Sequence, residues 1–313
     1  MILVTGATGF VGRSVLRRLD QAGLPFRILL RPTRRTPDLP PGISMQVSLA
    51  SLSDRRGVRA ALVGVDSVIH LAGAERQGSR EELILADMEG TRALAEAAAE
   101  AGVRRLIFLS HLGSDRASAY PVLRAKAVAE EFLRASGVPT TILRSAAIFG
   151  PGDRLTTGLA MALATLPGFF PVPRDPAPRL QPVWIEDLSF CLTWALEESE
   201  LIGQTVEVGG PEYLSIVEVT QLVMRGSGLR RRLVPLQAPY LRLGAWAFER
   251  LFPHPPVTRF WFDYLAADRT TDLNTMPHTF GLQPARMEGH LDYLRGRSWA
   301  REMLAQQRRT SPA

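Results

Sequence analysis

The stretch Met1–Gly12, MILVTGATGFVG, constrains this chain more than any other. Ile2, Leu3 and Val4 form a short apolar run of strand character, and Thr5 opens a turn. Gly6, Gly9 and Gly12 follow, and then Val11, Val15, Leu16 and Leu19 recur at helical spacing. Strand, glycine turn and helix in direct succession are the context in which such a motif signifies dinucleotide binding. Gly6 is expected to allow the sharp exit from the strand, Gly9 to let backbone approach a pyrophosphate, and Gly12 to let the helix pack close to the sheet. The phosphates would lie at the helix N-terminus, where free N–H groups and the dipole favour negative charge. The spacing is Gly-x-x-Gly-x-x-Gly, and the alternative is an ordinary glycine-rich turn.

Composition narrows the class. The chain has 313 residues, 46% of them hydrophobic and 22% charged, enough for a large core. Its single cysteine, Cys191, excludes a disulfide framework and a cysteine metal cluster, and no metal site is expected. Met1 leads directly into the strand, so no signal peptide is expected. The longest apolar stretch, 159–172, is short and contains Pro167 and Pro171, so no spanning helix is expected either. A cytoplasmic location is expected, with a peripheral seat on a membrane as the alternative. The net charge of +6 is spread along the chain apart from Arg230–Arg232, which describes a solvated surface rather than a nucleic-acid site. Of the 37 basic residues only one, Lys126, is lysine.

Further strands are expected at 26–30, 43–47, 67–71, 105–110 and 138–143, and helices at 49–62 and 81–101. This alternation predicts an α/β fold with a parallel, doubly wound, Rossmann-like sheet. The second strand ends at Arg31, with Arg34 and Arg35 close behind and no acidic residue at its end. Arginines there favour a 2′-phosphate, so NADP(H) is expected over NAD(H). Leu71, Ala72 and Gly73 close the fourth strand with small residues that let a ribose approach the backbone. His70 within that strand reads as a core histidine.

The chain resembles the atypical or extended short-chain dehydrogenase/reductases, which are epimerase- and dehydratase-like. The resemblance is carried by TGATGFVG at 5–12, GVDSVIHLAG at 64–73, DMEGTRALAEAAAEAGVRRLIFLS at 87–110, RAKAVAE at 124–130, LRSAAIFGPGD at 143–153, QPVWIEDL at 181–188 and FGLQPARMEGHLDYL at 280–294. Within them it most resembles the branch of the dehydrogenase-like accessory subunit of respiratory complex I. The resemblance implies a dinucleotide-binding domain over residues 1–151. It also implies a smaller C-terminal α/β lobe over 152–313, interleaved with late strands of the same sheet and covering the nicotinamide end. It adds Thr8, Phe10, Val11 and Ile148 to the expected cofactor contacts. Asp187 is expected to cap a helix over 188–196. The aromatic stretch 241–252 offers a contact with a membrane surface or partner, or packing within the small lobe.

Active members of that superfamily carry a tyrosine one helical turn before a lysine, with a serine on the preceding strand polarising the substrate oxygen. Here Lys126 and Ser110 match, but Val122 stands at the tyrosine position. Tyr120, ahead of Pro121, belongs at the helix cap and on a different face from Lys126. His111 stands where many relatives have a second serine, and Asp87 where an asparagine is expected. A lysine at that place in an arginine-rich chain points to a retained cofactor role, since a compact ammonium suits two ribose hydroxyls better than a planar fork. Two readings follow. One is a cofactor-binding accessory, sensor or assembly protein with a membrane-complex partner. The other is an active reductase, epimerase or isomerase on an unidentified small molecule, with Tyr120 or His111 as proton donor.

Overall fold

The computed structural model describes residues 1–33, 36–73, 84–174, 178–252 and 267–308. The chain forms two compact units, Met1–Ser145 with Ile185–Val208, and Ala146–Trp184 with Gly209–Ala313. The first unit thus gives way to the second at Ser145 rather than at 151, and residues Ile185–Val208 return to it.

The first unit is built on strands β1 (Ile2–Thr5), β2 (Phe26–Leu30), β3 (Gln46–Leu49), β4 (Ser67–His70), β5 (Arg105–His111), β6 (Thr140–Ser145) and β7 (Thr205–Val208). All pair in parallel, in the order β7-β6-β5-β4-β1-β2-β3. Central strands of a parallel sheet are covered on both faces and read as unbroken apolar runs. Every residue of β1 is buried accordingly. The order reverses between β1 and β4, and such a switch point opens a crevice at the carboxyl ends of the strands.

Helices α1 (Phe10–Gln21), α2 (Arg55–Ala61), α3 (Gly90–Glu100), α4 (Pro121–Ala135) and α5 (Ile185–Trp194) belong to this unit. The buried stripe of α1 is Gly12, Val15, Leu16 and Leu19, an amphipathic repeat. Ser14 on the same helix donates to Glu186 at 3.0 Å and to Ser189 at 3.2 Å, fastening α1 to α5. Asp187 does not cap α5. The helix starts at Ile185, so Asp187 lies in its first turn, where its charge suits the dipole. β3 begins at Gln46, not 43, and α2 begins at Arg55, not 49. Ser51 and Ser53 bond to each other, and Asp54 caps α2 by accepting from the Gly57 N–H at 3.1 Å. Such local side-chain bonds hold the backbone out of the helix. The helix expected over 81–101 is in its described part a π-turn, Ile84–Glu89, running into α3.

In the second unit the helices Thr156–Thr165 and Ile216–Ser227 share a core with Phe149, Phe170, Leu291, Leu294 and Trp299. Strand Phe169–Pro173 pairs in parallel with Arg232–Leu236. The aromatic stretch forms the helix Ala238–Leu251, with Leu241 and Ala245 buried and Tyr240, Leu243, Trp246 and Leu251 exposed. No helix among the described residues is long and apolar enough to cross a membrane.

Candidate functional site

The glycine turn sits at the switch point. Gly6 has φ +72°, and a Cβ there would lie 2.6 Å from the Ala72 nitrogen and the Leu71 carbonyl carbon. Glycine is therefore required both by conformation and by the close approach of the segment that follows β4. A Cβ on Gly12 would lie 2.3 Å from the Gly6 oxygen, so the helix presses on the turn itself. Gly9 differs. Its nearest neighbour would be the Gly6 oxygen at 3.1 Å, which makes it the glycine least demanded by packing. It is also the N-cap of α1, and no side chain caps the helix there. The α1 ladder starts with the Arg13 N–H donating to the Gly9 carbonyl at 3.0 Å, so the N–H groups of Phe10, Val11 and Gly12 precede it. Together with the N–H-rich turn through Thr8, this cradle fits a pyrophosphate. Its far wall is Leu71, Ala72 and exposed Gly73.

Thr5 ties the two walls together. Its hydroxyl lies 2.6 Å from His70 Nδ1 and accepts from the Ala72 N–H at 3.3 Å. The β1–β4 register places Thr5 beside His70. His70 Nε2 reaches the Thr91 hydroxyl at 2.9 Å, and the ring stacks on Phe108 with centroids 5.3 Å apart. Burial, and secondarily the charge of Lys126, pushes the His70 imidazole down to about 3, so it is neutral at physiological pH. The sequence reading of His70 as a satisfied core residue fits these contacts.

Lys126 is buried on α4, and its Nζ lies 3.1 Å from Asp87 Oδ1 and 5.2 Å from the Phe108 ring centroid. Both side chains of the ion pair are almost fully enclosed, at 3% and 2% exposure. Asp87 is placed there by the π-turn, a distortion that recurs at functional sites. An asparagine at that position would remove the charge that pairs with the ammonium at 3.1 Å. One helical turn before Lys126 stands buried Val122, which brings no proton donor. Tyr120 is the N-cap of α4, in extended conformation outside the helix, and His111 ends β5 half-buried.

Ser110 has an interior partner. It is 1% exposed and donates to Glu130 Oε1 at 2.6 Å. Glu130 is fully enclosed, takes a bidentate fork from Arg144 at 2.9 and 2.7 Å, and accepts from Arg134 at 3.0 Å. The hydrogen bonds to Glu130 hold the Arg144 guanidinium above its usual range. This geometry gives the Ser110 proton to a carboxylate rather than to a substrate oxygen. Ser110→Ala should lower stability by about 1.5–3 kcal/mol, the cost of a lost hydrogen bond to a buried charge, and leave cofactor affinity unchanged. Urea melts and a binding titration of the same variant check both halves.

Arg31 directly follows β2 and is exposed, and Arg34 and Arg35 lie outside the described residues. Ile148 lies in the second unit, half-buried in a two-residue strand paired with Val183 and Trp184. Arg13, Asp38 and Glu130 were not singled out as site residues by sequence reasoning. Glu130 sits inside the RAKAVAE segment, but only the packing of α4 on β5 and β6 reveals its role. Among the described residues no cluster of His, Cys, Asp or Glu could hold a metal ion.

A parallel sheet reversing beside an uncapped, glycine-lined helix N-terminus defines a dinucleotide-binding Rossmann protein. Residues 6–161 match the family model described as NAD(P)H-binding. Over 301 residues the chain is 31% identical to ceramide reductase of Caulobacter vibrioides, covering 94% of this chain and 85% of that protein. It is 27% identical over 335 residues to the mitochondrial NADH dehydrogenase [ubiquinone] 1 alpha subcomplex subunit 9 of Mus musculus, covering 99% and 84%. The UDP-glucose 4-epimerase of Thermus thermophilus, solved with NAD, superposes with a TM-score of 0.70 at 22% identity, covering 94% of this chain and 97% of that one. The chain belongs to the NAD(P)H-binding family, to which the matched model and its reductase relative assign it.

Proposed function

We propose that this protein binds NADP(H) with the family's cofactor site retained and its tyrosine–lysine proton relay absent, and that it serves an accessory, sensor or assembly role, on the membrane-bound complex of its mitochondrial relatives or an equivalent. The observation that carries the reading is the pairing of Lys126 with Asp87 one turn from Val122, where active members have tyrosine. When bound, the cofactor would supply hydride chemistry. Gly6, Thr8, Gly9 and the first N–H groups of α1 would hold its pyrophosphate, Leu71, Ala72 and Gly73 its adenosine ribose, and Lys126 its nicotinamide ribose. Ile148 is assigned to the same cofactor on family resemblance alone. The basic sequence after β2, with Arg31 and Arg34 and no acidic residue at the strand's end, points to a 2′-phosphate, and one charge-assisted arginine contact to it is worth about 1.5–3 kcal/mol. NADPH is therefore expected to bind about ten- to a hundredfold more tightly than NADH.

A second reading is an active reductase, epimerase or isomerase, favoured by the similarity to a named reductase over most of the chain. Its proton donor would be Tyr120 or His111. Screening the purified protein with NADPH against carbonyl compounds and nucleotide sugars separates the two. The accessory reading expects saturable NADPH binding without turnover. Turnover that falls about 10²- to 10⁴-fold in Tyr120→Phe or His111→Ala, with binding intact, would establish the enzyme instead.

A further inference from the structure

We infer that Arg13 is the residue that recognises the cofactor's 2′-phosphate, and that Asp38 holds the guanidinium in place until the phosphate replaces it. This rests on the NADP(H) reading above. Arg13 directly follows the last glycine, and its side chain turns back over the motif. Its Nη1 donates to the Thr8 carbonyl at 3.3 Å and to Asp38 Oδ2 at 2.9 Å. One guanidinium thus spans the glycine turn and the segment that follows β2. In Rossmann proteins the group that reads the adenosine ribose 2′ position lies roughly 20 residues beyond the glycine motif, with an arginine nearby where a 2′-phosphate is bound, and the segment after β2 is at that distance.

Chemistry favours exchange at this point. Arginine's planar fork accepts carboxylate and phosphate in the same bidentate geometry, so an aspartate is a natural occupant of a phosphate's position. Asp38 is 85% exposed, and an ion pair that wet is weak and easily released. Arg13 itself is 24% exposed, so its guanidinium is partly sheltered yet reachable. The pair also lines a cavity with Arg17, Leu39, Pro40 and Ile43, which leaves room beside it. The arginines that the sequence offers for this task, Arg31 and Arg34, follow the strand. Arg13 reaches the same region from the helix and is anchored there by Thr8.

The test is a fluorescence titration of NADPH and NADH against the full chain and its Arg13→Ala, Arg13→Lys and Asp38→Asn variants, each checked by thermal melting. Arg13→Ala should lose about ten- to a hundredfold in NADPH affinity while NADH affinity is unchanged. Arg13→Lys, which keeps the charge without the fork, should fall between. Asp38→Asn should bind NADPH more tightly, because the competing carboxylate charge is gone. An NADPH preference that survives Arg13→Ala overturns the assignment to Arg13. Weakened NADH binding in Asp38→Asn with NADPH unchanged also overturns it, by making Asp38 the acceptor of a ribose hydroxyl. Equal affinities of the wild-type protein for the two cofactors would instead overturn the NADP(H) reading on which the assignment rests.

Discussion

Gly9→Val is expected to abolish dinucleotide binding while leaving the protein folded. A Cβ at this position would meet only the Gly6 oxygen, at 3.1 Å, so the turn can absorb it with a shift of a few tenths of an ångström. The isopropyl group would instead project at the uncapped start of α1, where a pyrophosphate must touch backbone N–H groups. Two lost charge-assisted hydrogen bonds at about 1.5–3 kcal/mol each correspond to more than about a hundredfold in affinity. Gly12→Val is the contrasting control. Its Cβ would lie 2.3 Å from the Gly6 oxygen and 2.7 Å from both the Cα and the oxygen of Ala7, overlaps too deep for a shift of a few tenths of an ångström to relieve, so it should lower the melting temperature sharply. NADPH titration and melting of both variants separate ligand exclusion from misfolding. Gly9→Val that still titrates NADPH like the wild type would refute the proposed cradle.

Lys126→Ala is expected to act on stability and on binding at once. Removing the ammonium takes from Asp87, buried at 2% exposure, the ion pair it makes at 3.1 Å. Breaking one partner of a buried ion pair costs about 3–5 kcal/mol, a large share of a domain's stability. The double variant Lys126→Ala, Asp87→Ala should recover much of that loss, because both halves of the buried pair are then removed together. Recovery of stability should not restore the cofactor. Loss of the proposed contact to the nicotinamide ribose should weaken NADPH binding about ten- to a hundredfold in both variants. Urea midpoints and dissociation constants measured side by side check the two effects. A double variant with normal affinity would confine Lys126 to a structural role.

The part of the fold readable from sequence is the part written in local pattern. Ile2–Val4 followed by three spaced glycines and an amphipathic helix specifies one arrangement, because strand period, turn conformation and helix period agree. The same holds for the alternation that builds the parallel sheet. The misplaced start of α2 arises where Ser51, Ser53 and Asp54 compete for backbone bonds, which periodicity does not register. Sequence picks out Lys126 and Ser110 one residue at a time, but not their partners. That Asp87 faces Lys126, that Ser110 serves Glu130, and that Arg13 bridges Thr8 and Asp38 depend on how separate elements pack. No spacing rule within one element reaches them.

A crystal structure of the full chain with NADPH tests the central claim most directly. The account predicts the pyrophosphate against Gly6–Gly12, the Lys126 ammonium on the nicotinamide ribose, and no side-chain proton donor facing the nicotinamide C4 position. A Tyr120 hydroxyl or His111 nitrogen placed there, within the roughly 2.6–3.2 Å that proton transfer to a bound substrate oxygen requires, would contradict it.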